Sequence, residues 1–245
     1  LPLQPPHHPR RVGTEHVPEP ETPRRLAGPR QPQLRQPVFR CSAVDAAEAA
    51  AAEPDLARGG CRAQPRARML AEAGERRRFF AEICTHEWNL EQDRGRSWQE
   101  AEAQLIARHP GEAELIRAFR QNWWEMIPGE IEANVAILAE LRERGYDVTA
   151  LTNWASDTYA EAEAEFPILA KFRGVTVSGR VRLVKPDPAI YRHHAETHAL
   201  RPEATLFFDD NIRNVEGARA LGWNAEQYVS TDTLIADLRR YGLAP

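Results

Sequence analysis

Residues Thr205–Asn211 read TLFFDDN, so two carboxylates, Asp209 and Asp210, directly follow an apolar run. A buried carboxylate is costly unless a cation or hydrogen-bond donors compensate its charge. Either something cationic meets these two acids, or the run ends at the surface and the acids face water. The apolar run itself predicts a buried strand, and the segments around it decide the fold.

Short apolar strands alternate with amphipathic helices on both sides of this run. The helix predicted over 130–144 has an apolar face that includes Ile131 and Leu138, and it ends before Gly145, a residue type that commonly terminates helices. This alternation predicts an α/β fold with a doubly wound parallel sheet, whose chemistry gathers beyond the carboxyl ends of its strands. Further strands are predicted at 147–153, 174–179 and 225–229, and further helices at 156–166, 187–200, 212–222 and 232–242.

A region of helices precedes this alternating part of the chain. One helix is predicted over 76–88 with Phe79 and Ile83 facing inward, and Ser97 with Glu100 has the spacing of a helix N-cap and its third residue. Four of the six tryptophans lie in this region, which favours a small helical core over a stack of rings around a ligand. Three of them are also candidates for shaping a pocket: Trp88, Trp98 and Trp123.

Residues 1–70 have a different composition from the rest of the chain. Ten of the 19 prolines lie within residues 1–37, and residues 41–70 are rich in Ala and Arg with few large aliphatic side chains. Because proline is disfavoured in helices and central strands, we expect residues 1–70 to be a disordered or aberrant tail without a strand of the sheet. The chain begins at Leu1, and GC-rich DNA read out of frame encodes much Arg, Pro and Ala. A shifted reading frame or misassigned start would explain this segment.

The overall composition excludes several classes of protein. The chain has 245 residues and a net charge of −4, so it offers no broad basic surface for nucleic acid. No window has the apolar length of a membrane span. The three cysteines argue against a disulfide framework and for a reducing compartment such as the cytoplasm. Lysines are rare, with only Lys171 and Lys185 among 32 basic residues, so a lysine at a motif position is less often accidental.

Polar side chains follow three of the predicted strands. Thr152 and Asn153 end the first, Lys185 precedes a helix start, and Asp209 with Asp210 ends the strand over 205–210. Taken singly, these residues are a strand-end hydroxyl, a solvated cation and two helix caps. Taken together, the hydroxyl, amide and ammonium suit phosphoryl oxygens, and the carboxylates suit Mg²⁺. The set predicts a site for phosphoryl transfer.

The order LTN…KPDP…FFDDN resembles the motifs of the haloacid dehalogenase-like (HAD) hydrolase superfamily. The segment containing EWNLEQDRGRSW, residues 87–98, is similar to a bacterial subgroup with a small helical cap. This resemblance implies a Rossmann-like core over 129–245, a cap over 71–128 that closes over the site, and Mg²⁺ as the cofactor. It implies that Thr152 and Asn153 bind the phosphoryl group of a small phosphorylated metabolite, that Lys185 steadies its charge, and that Asp209 and Asp210 hold the metal.

The resemblance also implies a nucleophilic aspartate that forms an aspartyl-phosphate at the end of the first strand. That strand should lie near residues 45–60, where the sequence predicts none, and the candidate attackers are Asp55 and, less well placed, Asp45. A chain without this attacker is expected to turn over little substrate. FFDDN is similar to the Mg²⁺-dependent phosphatases rather than to the metal-free 2-haloacid dehalogenases.

Three other functions and one other metal site stay open at this point. One is a 2-haloacid dehalogenase-type hydrolase, and another is a phosphate-binding remnant without catalysis. A phospho-receiver domain uses similar residues, but its acidic pair comes first in the chain, whereas here the order is Thr, Lys and then the acids. His194 and His198, at helical spacing, are a candidate metal pair, although no third ligand is near in sequence.

Overall fold

A computed structural model describes residues 36–39, 77–123, 127 and 129–243. Within them the strands form one parallel sheet in the order β3-β2-β1-β4-β5. The predicted α/β fold with a parallel sheet is therefore confirmed. The strands are β1 Gln36–Phe39, β2 Thr149–Thr152, β3 Val175–Val177, β4 Thr205–Asp209 and β5 Asn224–Gln227.

The middle strand, β1, corrects the prediction that residues 1–70 contain no strand. Val38 of β1 pairs with Thr149 of β2 on one side and with Phe207 of β4 on the other, both in parallel. β1 has no clear local signal, because it is short and contains Pro37, a residue disfavoured in a central strand. Its pairing with two distant strands outweighs that local preference.

The other predictions for residues 1–70 lie outside the described residues. They include the disordered or aberrant tail on either side of β1 and the candidate attackers Asp45 and Asp55. The division into a cap over 71–128 and a core over 129–245 stays a prediction.

Helices cover both faces of the sheet, as the alternation of side chains along β4 requires. Phe207 packs in a cluster with Ile190 and Val215. Its neighbours Leu206 and Phe208 pack instead in a cluster on the opposite face. The core helices are α4 Glu132–Glu143, α5 Ser156–Glu165, α6 Pro188–Thr197, α7 Ile212–Arg219 and α8 Thr231–Arg240, with a single turn at Ser178–Val181 after β3.

The apolar face of α4 differs from the prediction by one position. Ile131 was expected on the buried face, but it precedes the helix as its N-cap and is 53% exposed. Ile137 is buried instead, beside Leu138 and Leu141. The helix ends as predicted, since Gly145 follows it with a positive φ of 81°.

The helices before residue 123 form a small aromatic core of their own. Trp88 and Trp98 lie edge to face with ring centroids 5.5 Å apart, and both contact Phe119. The helix predicted over 76–88 is interrupted, because the Oγ1 of Thr85 accepts a bond from the Trp88 amide and begins a new helix. The segments here are a π-helical turn Phe79–Ile83 and helices α1 His86–Asp93, α2 Trp98–Arg108 and α3 Ala113–Gln121.

The predicted N-cap at Ser97 is confirmed, since its Oγ accepts a bond of 3.2 Å from the Glu100 amide. The next amide, of Trp98, donates to the Oδ2 of Asp157 in α5 at 3.0 Å. The start of α2 is therefore held by the first turn of a core helix. None of the helices within the described residues combines the length and apolar character needed to cross a membrane.

Candidate active site

The structure brings Lys185 and Asp209 together at the carboxyl edge of the sheet. The Nζ of Lys185 donates to the Oδ2 of Asp209 at 2.8 Å and to the carbonyl oxygen of Leu151 at 2.8 Å. The side chains of Lys185 and Asp209 are fully buried. The cation that the buried acid requires is therefore Lys185, and the pair links the end of β4 to the loop before α6.

Asn153 fixes the backbone of Lys185 from the end of β2. Its Oδ1 accepts a bond of 2.8 Å from the amide of Lys185, and its Nδ2 donates to the carbonyl of Lys185 at 3.0 Å. Thr152 is fully buried next to it. The predicted residues Thr152, Asn153, Lys185 and Asp209 thus share one edge of the sheet, brought there by β2 and β4.

The second oxygen of Asp209 is held by two donors that sequence analysis did not single out. Its Oδ1 accepts from the amide of Asn211 at 2.9 Å and from the Nδ2 of Asn214 at 3.0 Å. Asn214 is buried in α7, five residues after the acid. No local sequence signal marks Asn214, because its contact with Asp209 depends on how α7 packs against the end of β4.

By their position Asp209 and Asp210 also suit caps of the following helix. The N-cap of α7 is instead Asn211, whose Oδ1 accepts from the amide of Arg213 at 3.0 Å. Asp210, between Asp209 and Asn211 in the sequence, is half-buried. Its backbone carbonyl oxygen accepts a hydrogen bond from the Nε2 of Gln227. Neither acid is therefore the N-cap of α7.

A cavity of about 250 Å³ opens beside Lys185, between the core and α1, and Thr152, Asp209 and Asp210 do not line it. Asn153 and Lys185 line it from the core, together with Asn211 and Asn214. The predicted pocket tryptophans do not line it, because they pack in aromatic clusters. The part of its wall that α1 and its C-cap supply consists of His86, Leu90, Asp93 and Arg94, which recur at the spacing of one helical face.

The donor set at this edge suits Mg²⁺ better than a softer metal. Asp209 and Asp210 supply hard carboxylate oxygens, and Mg²⁺ commonly takes one or two carboxylates and keeps several waters. Within the part of the chain that the structure describes, no group of three or more His, Cys, Asp or Glu side chains could hold a metal ion. The described residues therefore fit a hydrated Mg²⁺ rather than an ion enclosed by protein ligands.

His194 and His198 have a structural explanation. His194 is fully buried, and its Nε2 and Nδ1 lie 3.1 Å from the Oγ1 of Thr149 and 2.7 Å from the Oγ1 of Thr176. The Nε2 of His198 lies 3.2 Å from the same Thr176 oxygen. The hydroxyls of β2 and β3 thus hold both rings. Burial likewise raises the pKa of the Cys84 thiol, which makes it unreactive.

The buried histidine predicts a loss of stability in acid. Burial, with the nearby His198 and Lys185 as smaller causes, holds the pKa of His194 well below its usual value. The unfolded chain then binds a proton below about pH 6.5 that the folded chain does not, so folding weakens as the pH falls from about 6.5 toward the folded pKa. We expect the free energy of unfolding to fall by up to about 1.4 kcal/mol per pH unit from this group.

Urea denaturation between pH 7.5 and 5 measures this loss. His194→Gln should remove most of the slope, whereas His193→Gln, at the neighbouring half-exposed histidine, should keep it. Equal slopes in the wild type and His194→Gln would contradict the assignment.

The haloacid dehalogenase-like hydrolase family matches residues 43–222 of this chain. A phosphoserine phosphatase of Thermus thermophilus is 32% identical over 120 residues, which are 44% of this chain and 48% of that protein. A phosphatase of Mycobacterium tuberculosis is 36% identical over 117 residues, or 46% and 50% of the two chains. A haloacetate dehalogenase of a Moraxella species is 26% identical over 107 residues, or 44% and 43%. The chain spans about half the length of these curated relatives or less.

The solved structures extend the similarity in fold over most of the chain. A HAD-like family hydrolase from Porphyromonas gingivalis superposes with a TM-score of 0.59 at 18% identity, covering 85% of this chain and 97% of that one. At this identity the likeness concerns the fold alone.

Proposed function

Because the chain belongs to the haloacid dehalogenase-like hydrolase family, we propose that it is a Mg²⁺-dependent phosphatase of a small phosphorylated metabolite. The observation that carries the proposal is the buried Lys185–Asp209 pair at the carboxyl edge of the sheet, 2.8 Å apart. A fully buried ammonium beside a carboxylate is suited to a site where an anion binds and negative charge develops. We place this chemistry in the cytoplasm, in keeping with the sparse cysteines.

The residues at this edge have distinct proposed roles. Lys185 neutralises charge on the phosphoryl oxygens, and its position is fixed by Leu151 and Asn153. The hydroxyl of Thr152 and the second Nδ2 hydrogen of Asn153, the one not donated to Lys185, bind phosphoryl oxygens at the end of β2. Asp209 and Asp210 would hold Mg²⁺, which when bound withdraws charge from the phosphoryl group and favours its transfer. The part of α1 that lines the cavity excludes water from the reacting groups.

The attacking group in this proposal is a carboxylate. Its oxygen forms a bond to phosphorus while the bond to the ester oxygen breaks, and the leaving alkoxide takes up a proton. Water then hydrolyses the aspartyl-phosphate to release inorganic phosphate and restore the carboxylate. The candidates remain Asp55 and Asp45, and Asp45 is the first carboxylate after β1, which ends at Phe39.

A second candidate function, binding of phosphate without catalysis, has one observation in its favour. The middle strand of the sheet ends at Phe39 and is followed in sequence by Arg40, Cys41 and Ser42, none of which is a carboxylate. A chain in which neither Asp45 nor Asp55 reaches the phosphoryl group would bind the ester and release it unchanged.

Hydrolysis of para-nitrophenyl phosphate by the full chain separates the two functions. The phosphatase predicts turnover with Mg²⁺ that is abolished by EDTA and restored by added Mg²⁺. Asp45→Asn and Asp55→Asn then identify the attacker, since loss of a nucleophile typically lowers turnover by a factor of about 10⁴ or more. Turnover that is unaffected by EDTA would contradict the proposal, and Mg²⁺-dependent phosphate binding without turnover would establish the second function.

A further inference from the structure

The cavity beside Lys185 has several arginines in its wall. Three arginines, Arg94, Arg182 and Arg213, line it, and Lys185 lines it through its main chain, because its side chain is fully buried. The acids that line it are Asp93 and Asp187, and the Oδ1 of Asp187 accepts a bond of 2.8 Å from the Ala189 amide at the start of α6. The wall therefore carries three arginines against two acids.

Two of these cations already have anionic partners. Lys185 is paired with Asp209, and Arg94 forms an ion pair with Glu91 at 2.6 Å. The guanidinium groups of Arg182 and Arg213 form neither a hydrogen bond nor an ion pair with any residue that the structure describes. Two charges in the wall are therefore available to a ligand.

Both available arginines are exposed residues of core segments and line the same cavity. Arg213 lies in the first turn of α7, the helix that also supplies Asn214 to Asp209. Arg182 follows the turn Ser178–Val181 in a left-handed conformation with φ of 59°. A side chain added at Gly95 would collide with the Cγ of Arg182, so the aliphatic part of Arg182 lies against the turn between α1 and α2.

We propose that Arg182 and Arg213 bind a carboxylate of the substrate, and hence that the substrate is a small phosphomonoester that carries a carboxylate. The inference rests on the proposed function for the phosphoryl half of this ligand. The planar guanidinium group matches a carboxylate with two parallel hydrogen bonds. The cavity, at about 250 Å³, lies below the usual size of ligand pockets, and so both anionic groups belong to a small molecule.

Two phosphonates that cannot be hydrolysed test the proposal by calorimetric titration of the full chain at pH 7.5 with Mg²⁺. Ethylphosphonate has the phosphoryl group alone, and 3-phosphonopropionate adds a carboxylate to the same two-carbon chain. We expect 3-phosphonopropionate to bind about 10- to 100-fold more tightly, the typical effect of charge-assisted hydrogen bonds. The measurement does not depend on turnover.

Substitution of the two arginines tests whether they cause the tighter binding of 3-phosphonopropionate. In Arg213→Met and Arg182→Gln the ratio of the two dissociation constants should fall toward one. Arg192→Met, which removes an equal charge from an exposed position of α6 outside the cavity, should keep the wild-type ratio. Equal affinities of the wild type for the two probes, or an unchanged ratio in both cavity variants, would overturn the carboxylate assignment alone. Failure of the wild type to bind either probe would overturn the proposed function as well.

Discussion

Lys185→Met is expected to destabilise the folded chain by about 3–5 kcal/mol, the usual cost of removing one partner from a buried ion pair. The side chains of Lys185 and Asp209 are fully buried, and the substitution leaves the carboxylate of Asp209 without its cation. Asn211 and Asn214 still donate to the other oxygen, but neutral donors do not replace the lost charge. Urea denaturation at pH 7.5 measures the difference.

The sequence offers a matched control, because Lys171 is its only other lysine and is exposed. Lys171→Met should change the free energy of unfolding by less than about 0.5 kcal/mol. The double variant Lys185→Met with Asp209→Asn should recover much of the loss, because the unpaired charge is gone. If Lys185→Met does not fold, urea denaturation of the double variant still measures the effect of losing the pair. A loss from Lys185→Met as small as that from Lys171→Met would show that the pair is not isolated from water.

Local sequence signals were sufficient to predict the carboxyl edge of the sheet. Asp187 caps α6 as its position before Pro188 indicates, and Gly145 follows α4 where its type suggests. Thr152 and Asp209 end their strands because each apolar run stops there. Strands of a parallel sheet direct their carboxyl ends to one edge, so the residue types at those ends were enough to predict that they meet.

The features that sequence analysis missed depend on contacts between distant segments. Four residues containing a proline gave no local signal for β1, which is defined by its pairing with β2 and β4. The role of Asn214 becomes visible only when α7 lies beside the end of β4. In both cases the feature depends on packing between elements, which local propensity does not describe.

The residues that line the cavity were harder to predict from the sequence than the ends of the strands. The lining residues from α1 and its C-cap share one face of that helix by their spacing. Trp88, a large ring predicted to shape the pocket, lies on another face. Large apolar rings more often fill a core than line a polar cavity. Polar residues at helical spacing, such as His86 and Asp93, were the better guide to the cavity.

Asp209→Asn is expected to lower Mg²⁺-dependent turnover of para-nitrophenyl phosphate by about 10²–10³-fold, in line with the removal of one preorganised electrostatic group. An amide of the same shape carries no charge, so it pairs poorly with Lys185 and binds Mg²⁺ weakly. A second measurement does not rely on catalysis. Mg²⁺ should raise the thermal midpoint of the wild type, because a ligand that binds only the folded chain stabilises it, and the rise should be absent in the variant.

Asp232→Asn provides the control, because Asp232 is an exposed acid in the first turn of α8 and does not line the cavity. It should keep both the turnover and the thermal response of the wild type. If Asp209→Asn also kept both, Asp209 would be a structural partner of Lys185 and the metal would have to be held elsewhere. If it kept the thermal response and lost turnover, the role of Asp209 would be to position Lys185 against the phosphoryl group. Loss of both in Asp209→Asn alone, in a variant that still unfolds cooperatively, would assign Mg²⁺ binding to the carboxyl end of β4.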